Sequence, residues 1–533
     1  MRAPEGLRRV LQRRSSGSRG ALERLPGVPI WALLAVTLPL LGLGAIFVST
    51  SFEEDPSAKR LGRNLPVNAG APDPADISAN NSPTLVQNPR DPGNVVVANR
   101  IDSPRFGCAL HASSDGGARW SQTPIPAPRG ERACYAPDVA FAADGTLHVS
   151  FVTLRGRANA PNAVWTATSD DGGKTISKPQ KALGKLAFQV RLTADPARPK
   201  RLYLTWLQAS EVGLFKFTET GNPIQVSRSD DGGATWSEPR RASAPSRSRV
   251  VAPAPAVGSE GELHLLYLDL GEDLLDYSGA HRGKGGPPHE GPWQLVLASS
   301  RDGGDGWTES TVAKRLVPSE RFIVFTPPFP SLAVDRDSGR MYAGFHDGRL
   351  GDQDVWVWSA DKGARTWSKP KRVNDTRLRD ATSQSLPKLA VAPNGRLDVL
   401  YYDRRADLRN VMTEMSLQSS HDGAESFGER IPVSDKRFSS RIGYGSERDL
   451  PDLGSRSGLI STDSRAFAVW TDTRGGTRAS AKQDLARGVV AFSDPPRLSK
   501  AAKYGLRVGG ILLVLAGLGA LAAHLTRRKR RAS

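Results

Sequence analysis

Two patterns of apolar and polar residues divide the chain. Near each end lies an unbroken apolar run: Ile30–Val48 ("IWALLAVTLPLLGLGAIFV"), 19 residues without a charge, and Val508–Leu525 ("VGGILLVLAGLGALAAHL"), where His524 is the polar exception. Between them the period drops to two over short stretches such as "RLDVLYYD" and "RAFAVWTD", with turn residues in between. Alternation of this kind places successive side chains on opposite faces of a strand, and paired stretches around a Gly/Asn/Asp turn predict hairpins. Seven such units begin at Ser82, Ala136, Val190, Ala254, Phe329, Leu386 and Leu450.

A second signal recurs between the hairpins. "SDDGGATWS" at 229–237 has counterparts in "SSDGGARWS" from Ser113, "SDDGGKTIS" from Ser169, "SRDGGDGWT" from Ser300, "SADKGARTWS" from Ser359 and "SHDGAESFG" from Ser420. Their starts are 56, 60, 71, 59 and 61 residues apart. The copy at Ser359 carries an inserted residue, and that at Ser420 has Phe for Trp. A fixed interval of this size indicates a solenoid, propeller or array. The residue types suit a turn: aspartate accepts the turn's own N–H groups, glycine supplies positive φ, and tryptophan anchors the far end by packing.

This repeat resembles the Asp box of the sialidase-like, or BNR-repeat, β-propellers, over about residues 65–495. The resemblance implies an all-β propeller of four-stranded blades, with the box as the turn between third and fourth strands and the ligand face at the opposite end. It makes the box pairs Ser113/Asp115, Ser169/Asp171, Ser229/Asp231, Ser300/Asp302, Ser359/Asp361 and Ser420/Asp422 structural staples. Seven hairpins stand against six boxes. The last unit runs to "GVVAF" (Gly488–Phe492) and lacks a fourth strand, whereas "NLPVNAG" (Asn64–Gly70) resembles the fourth strands "RVNDT" and "IPVSD". It is expected to close the last blade and hide the ring's edge strands. Seven blades are expected; six, the usual sialidase count, is the alternative.

Charge alters this picture at the ends. The formal net charge is +18, but residues 1–29 hold seven Arg against two Glu, and Arg527–Arg531 adds five cations. Both apolar runs approach the roughly 20 residues that cross a bilayer. Basic flanks remain cytoplasmic, which predicts an integral membrane protein with both termini inside and the propeller extracytoplasmic. A cleaved signal peptide is the alternative for the first run. The expected organisation is a basic segment 1–29, a span 30–50, a linker 51–64, the propeller 65–495, a linker 496–506, a span 507–525 and a basic tail 526–533. The excess cations are thus topogenic, and no nucleic-acid partner is expected. Cys108 and Cys134 are the two cysteines. Outside the cytoplasm they are expected to pair, with two free thiols as the alternative. No His/Cys spacing of metal-site type appears, so no metal or cofactor is expected.

Three loops repeat an acid-then-arginine pattern: Asp347/Arg349, Asp403/Arg405 and Asp472/Arg474. Arg100 and Arg105 flank blade 1, and "RIGYGSERD" adds Tyr444 and Glu447. Arginines around a funnel would hold an anionic group bidentately; alternatively each acid–arginine pair orders its own loop. By resemblance, a sialidase site needs three arginines on the ligand carboxylate, a Tyr–Glu pair and an acid/base Asp. The family's Arg-Ile-Pro signature is replaced here by "NSPTLVQ". The expected function is a ligand-binding module for an anionic glycan or an envelope or cell-surface protein; the alternative is a glycoside hydrolase of exo-α-sialidase type.

Overall fold

The computed structural model describes residues 30–51, 57–68, 78–156, 159–211, 219–273, 290–318, 329–443, 453–493 and 500–532. The chain forms two compact units, one spanning Ala58–Phe492 and the other combining Met1–Ser57 with Ser493–Ser533.

The larger unit is a seven-bladed β-propeller. Each blade is an antiparallel meander, and the first strand of each blade packs on the first strand of the next, so these strands line the axis. They are Asn80–Gln87, Arg132–Phe141, Ala187–Ala194, Val250–Val257, Ser331–Val334, Gln384–Val391 and Gly458–Ser461. The second strands read as alternating in sequence, yet Leu263–Asp269, Met341–Asp347 and Leu397–Asp403 are buried at every position. Neighbouring blades cover both faces of a mid-blade strand, so even its polar positions leave water. Large aromatics, including Trp206, Trp358 and Trp470, fill the space between blades.

Blade 7 closes as the pattern of Asn64–Gly70 predicts. Leu65–Pro66 pairs antiparallel with Asp484–Ser493, opposite Arg487 and Ala486, and Val67 N–H donates to Leu485 O (2.8 Å). Asn64 ties this seam to blade 6, donating to Val433 O (2.9 Å) and accepting from Asp435 N–H (2.7 Å). One expectation needs correcting. Ser57–Arg60, assigned to the linker, is a strand on the same edge of Asp484–Ser493, and Leu61 N–H donates to Val489 O (2.7 Å). The edge strand is ten residues long, and the two-residue pairing at Leu65 leaves part of its hydrogen-bonding edge open; the upstream strand covers the remainder.

Five repeat turns share one geometry. In each, the serine hydroxyl donates to the aspartate at 2.7–2.8 Å and accepts an N–H four residues on at 2.7–2.9 Å: Ser113, Ser169, Ser229, Ser300 and Ser420. Gly233, at φ +88°, turns the chain where a side chain would be strained. The turn at Ser359 departs: Ser359 Oγ accepts from Arg340 (3.2 Å), and the Asp361 side chain is 93% exposed. Its inserted residue lengthens the turn and releases the aspartate. The turn tryptophans join neighbouring blades: Trp120 of blade 1 lies against Phe467 of blade 7, and Trp367 of blade 5 donates to Ser310 Oγ of blade 4 (3.1 Å).

The smaller unit contains two helices, Ile30–Ser51 and Lys500–Ala532, packed on each other. A Cβ added at Gly42 would lie 2.5 Å from Gly510 O, and one at Gly517 2.3 Å from Pro39 Cδ, so small residues set the close approach. Each helix contains a stretch long and apolar enough to cross a membrane, Ala32–Ser49 and Tyr504–Arg530; the first also has the composition of a signal sequence.

Candidate ligand site: loop end and axial cavity

The repeat turns join third to fourth strands, so the loops between second and third strands emerge at the other end of each blade. There the predicted acid–arginine pairs are closed on themselves. Asp347, Asp403 and Asp472 end their second strands, almost fully buried. Arg349 grips Asp347 through Nε (2.8 and 3.0 Å) and Nη2 (2.6 Å), and its guanidinium lies 4.4 Å from the Trp356 ring. Arg474 grips Asp472 in the same way (2.9, 3.0 and 2.7 Å) and also pairs with Asp435. Arg405 bridges Asp403 (2.6 Å) and Asp375 (2.7 Å). In blade 1, Arg100 pairs with Asp102 (2.8 Å) and donates to Tyr135 Oη (2.9 Å). Each of these four arginines is therefore committed to an aspartate of its own loop. Arg105 is exposed; Tyr444 and Glu447 lie outside the described residues.

Cys108 and Cys134 form a disulfide, Cα atoms 5.5 Å apart. It joins the third strand of blade 1 to the first strand of blade 2 and sits beside the loop that carries Arg105.

Sequence reasoning missed the axis. A cavity of about 70 Å³ lies between the first strands, lined by residues that include Thr84, Arg191, Ser331, Lys388 and Arg456. Their placement follows from a repeated backbone device. Just before Thr84, Asp138, Arg191, Ala254 and Lys388 the strand register slips by a bulge. Two residues upstream of each lies a residue of positive φ: Ser82, Ala136, Gln189, Ala252 and Leu386. Bulges re-aim side chains, and at this position Thr84, Arg191, Ala254 and Lys388 line the axial cavity while Asp138 lies behind it. That position also ties blades together: Asp138 accepts Leu192 N–H of the next blade (2.9 Å) and Thr84 Oγ1 (2.7 Å), while Ser331 accepts Leu389 N–H (2.9 Å). Burial, with Arg191 and Arg456 nearby, pulls the Lys388 ammonium down to about 8, and burial and Arg191 pull Arg456 down to about 9. The sequence signal was the variable residue in "SPTL", "APDV", "FPSL" and "LPKL", where only the apolar flank is constant.

Fold and site define a seven-bladed propeller with a cationic axial cavity and a ring of internally paired acid–arginine loops. No protein-family model matches the chain, and no curated protein matches it. Among solved structures it is similar to a protein of unknown function from Dyadobacter fermentans (13% identity, 82% of this chain and 100% of that one, TM-score 0.44). It is similar also to the Hadza microbial sialidase Hz136 (13% identity, 74% and 73% covered, TM-score 0.39) and to a polysaccharide lyase of family PL25, an ulvan lyase (11% identity, 83% and 99% covered, TM-score 0.43). These values are too low to carry a function from one chain to another.

Proposed function

We propose that the chain is a membrane-anchored, extracytoplasmic propeller that binds a ligand, an anionic glycan or a surface protein, at its loop end. The observation supporting binding over hydrolysis is the closed state of Arg349, Arg405 and Arg474: each fork holds its own aspartate, leaving recognition to the loop surfaces they order. The basic flanks of the two apolar helices support both termini being cytoplasmic. Full-length chain in detergent is expected to bind on a glycan array, or to capture a surface protein, without hydrolysing a fluorogenic sialoside. Protease added to intact cells should cut the propeller and spare tags at both ends; a protected propeller would sink the topology.

One observation favours the second reading, a glycoside hydrolase. The Asp352 carboxyl, in the loop between second and third strands of blade 5, is raised above the usual range by burial and by Asp354 and Asp380. A carboxyl whose pKa is raised is the direction a general acid requires. Sialoside turnover that disappears in Asp352→Asn would replace the binding proposal with this one.

A further inference from the structure

The axial cavity carries a charge imbalance that the loop pairs do not. Its described lining contains three cations, Arg191, Lys388 and Arg456, and no acidic side chain. The nearby carboxylate, Asp138, is 1% exposed and set behind the lining, occupied by Thr84 Oγ1, Leu192 N–H and the Arg191 Nε 3.2 Å away. Among the described residues, one carboxylate against three cations leaves two positive charges. Arg456 is held in place by Thr84 Oγ1 (3.0 Å) and Pro137 O (2.7 Å). Arg191 stands 5.5 Å from the Phe329 ring, and its Nη1 is buried with no hydrogen-bond partner. Arg191, Lys388 and Arg456 are half-buried, and charge withdrawn from water is costly and is ordinarily offset by counter-charge. The space exceeds what one water needs, and the cations come from blades 3, 6 and 7, so they converge from separate sides.

We propose that this cavity binds a dianionic phosphoryl group, as inorganic phosphate or as a phosphate monoester, held by Arg191, Lys388 and Arg456. Two guanidinium groups and an ammonium suit an oxyanion with several acceptor oxygens. Two negative charges match the surplus, where a monocarboxylate would leave one cation unanswered. Arg100 of the loop end acts on Arg456, but Arg349, Arg405 and Arg474 are not part of the lining, so failure of this site leaves the glycan or protein reading standing, and the converse holds.

Full-length chain in detergent, freed of phosphate, is titrated calorimetrically at constant ionic strength with inorganic phosphate, glucose 6-phosphate, sulfate and acetate. Phosphate and sulfate are expected to saturate one site, with acetate about tenfold weaker or worse. Tighter glucose 6-phosphate marks the group as part of a larger ligand; exclusion of the sugar phosphate marks the free ion. Lys388→Gln should weaken phosphate about tenfold while Lys388→Arg retains it, both melting like the parent. A check without mutation uses sulfate, which does not titrate in this range. The groups acting on Lys388 are Arg191, Arg456 and Asp138, and sulfate affinity should fall as pH rises through about 8, where the ammonium loses its proton. Absence of saturable phosphate or sulfate binding by the folded parent overturns the proposal. So does phosphate affinity unchanged in folded Lys388→Gln.

Discussion

Replacing Arg396 by Met should loosen the joint between blades 6 and 7. The side chains of Arg396 and Asp398 are both 0% exposed. Nε and Nη2 of Arg396 donate to the two Asp398 oxygens (2.9 and 3.0 Å), while Nη1 and Nη2 also reach Asp463 O and Thr462 O of blade 7 (2.8 Å each). The guanidinium lies 3.5 Å from the Phe492 ring, in the third strand of blade 7. Met keeps much of the stem's volume but leaves Asp398 with the Ser419 hydroxyl (2.6 Å) and two carbonyls without their donors. Removing one partner of a buried pair costs about 3–5 kcal/mol. Melting entropy of about 2.1 cal/mol/K per residue over Ala58–Phe492 amounts to roughly 0.9 kcal/mol/K. The melting temperature should therefore fall by about 3–6 °C, read by scanning fluorimetry on the detergent-solubilised chain. Arg396→Met/Asp398→Leu should recover most of the loss, because an apolar pair of similar volume is often neutral in such a place. A single variant within about 1 °C of the parent, or a double variant worse than the single, would refute the reasoning.

The turn at Ser229 should behave as a staple. Ser229→Ala removes the acceptor for Gly233 N–H and a donor to Asp231, costing about 1 kcal/mol, and Trp236→Ala should cost less than the roughly 3–5 kcal/mol of a fully buried Trp because Trp236 is half-buried; a melt like the parent's with lost ligand binding would contradict both. Acid should weaken the propeller through these turns. The Thr235 hydroxyl and N–H, aided by Ser229, hold Asp231 down to about 2, below its unfolded value of about 3.9, so its contribution is complete above about pH 4 and lost as pH falls toward 2. Solvent exposure keeps it modest; urea midpoints should drop across that window, less steeply in Asp231→Asn, and a flat profile would dismiss the effect. Reducing the Cys108–Cys134 bond, which closes a separation of 26 residues, should cost about 3.5 kcal/mol in equilibrium unfolding, and equal stability of the double Ser variant would argue against it.

The repeat was legible because six of the seven blades carry the same turn residues, and five of them build the same turn. The closure by Asn64–Gly70 was legible because it copies fourth strands elsewhere. Ser57–Arg60, "SAKR", was not: a half-exposed polar edge strand has no apolar pattern to announce it. The acid–arginine residues were visible as types, but whether Arg349 reaches outward or folds back on Asp347 depends on the turn and on the Trp356 ring beneath it. The axial cluster hid in a single variable position per blade, and Arg191, in "QVRLTAD", lacks the proline that marks its equivalents. Arg396 and Asp398 read as surface polar positions of a hairpin because sequence does not reveal that blade 7 will cover them.

The seam in blade 7 has a mechanical side. Contacts there run in opposite chain directions, from Leu61 against Val489, through Leu65 against Arg487, to Val67 against Leu485. Ser57 and Ser493 thus stand at the same end of adjacent strands of one sheet. Tension applied to Ser57 and Ser493 would peel that edge bond by bond, starting at Ser57 against Ser493, instead of shearing all its bonds together. Peeling is the compliant mode for a strand pair, and Asn64 alone in this seam passes load on to blade 6, through Val433 and Asp435, among the described hydrogen bonds of Leu61–Val67. The rupture threshold of the whole ring is then that of its one two-part seam.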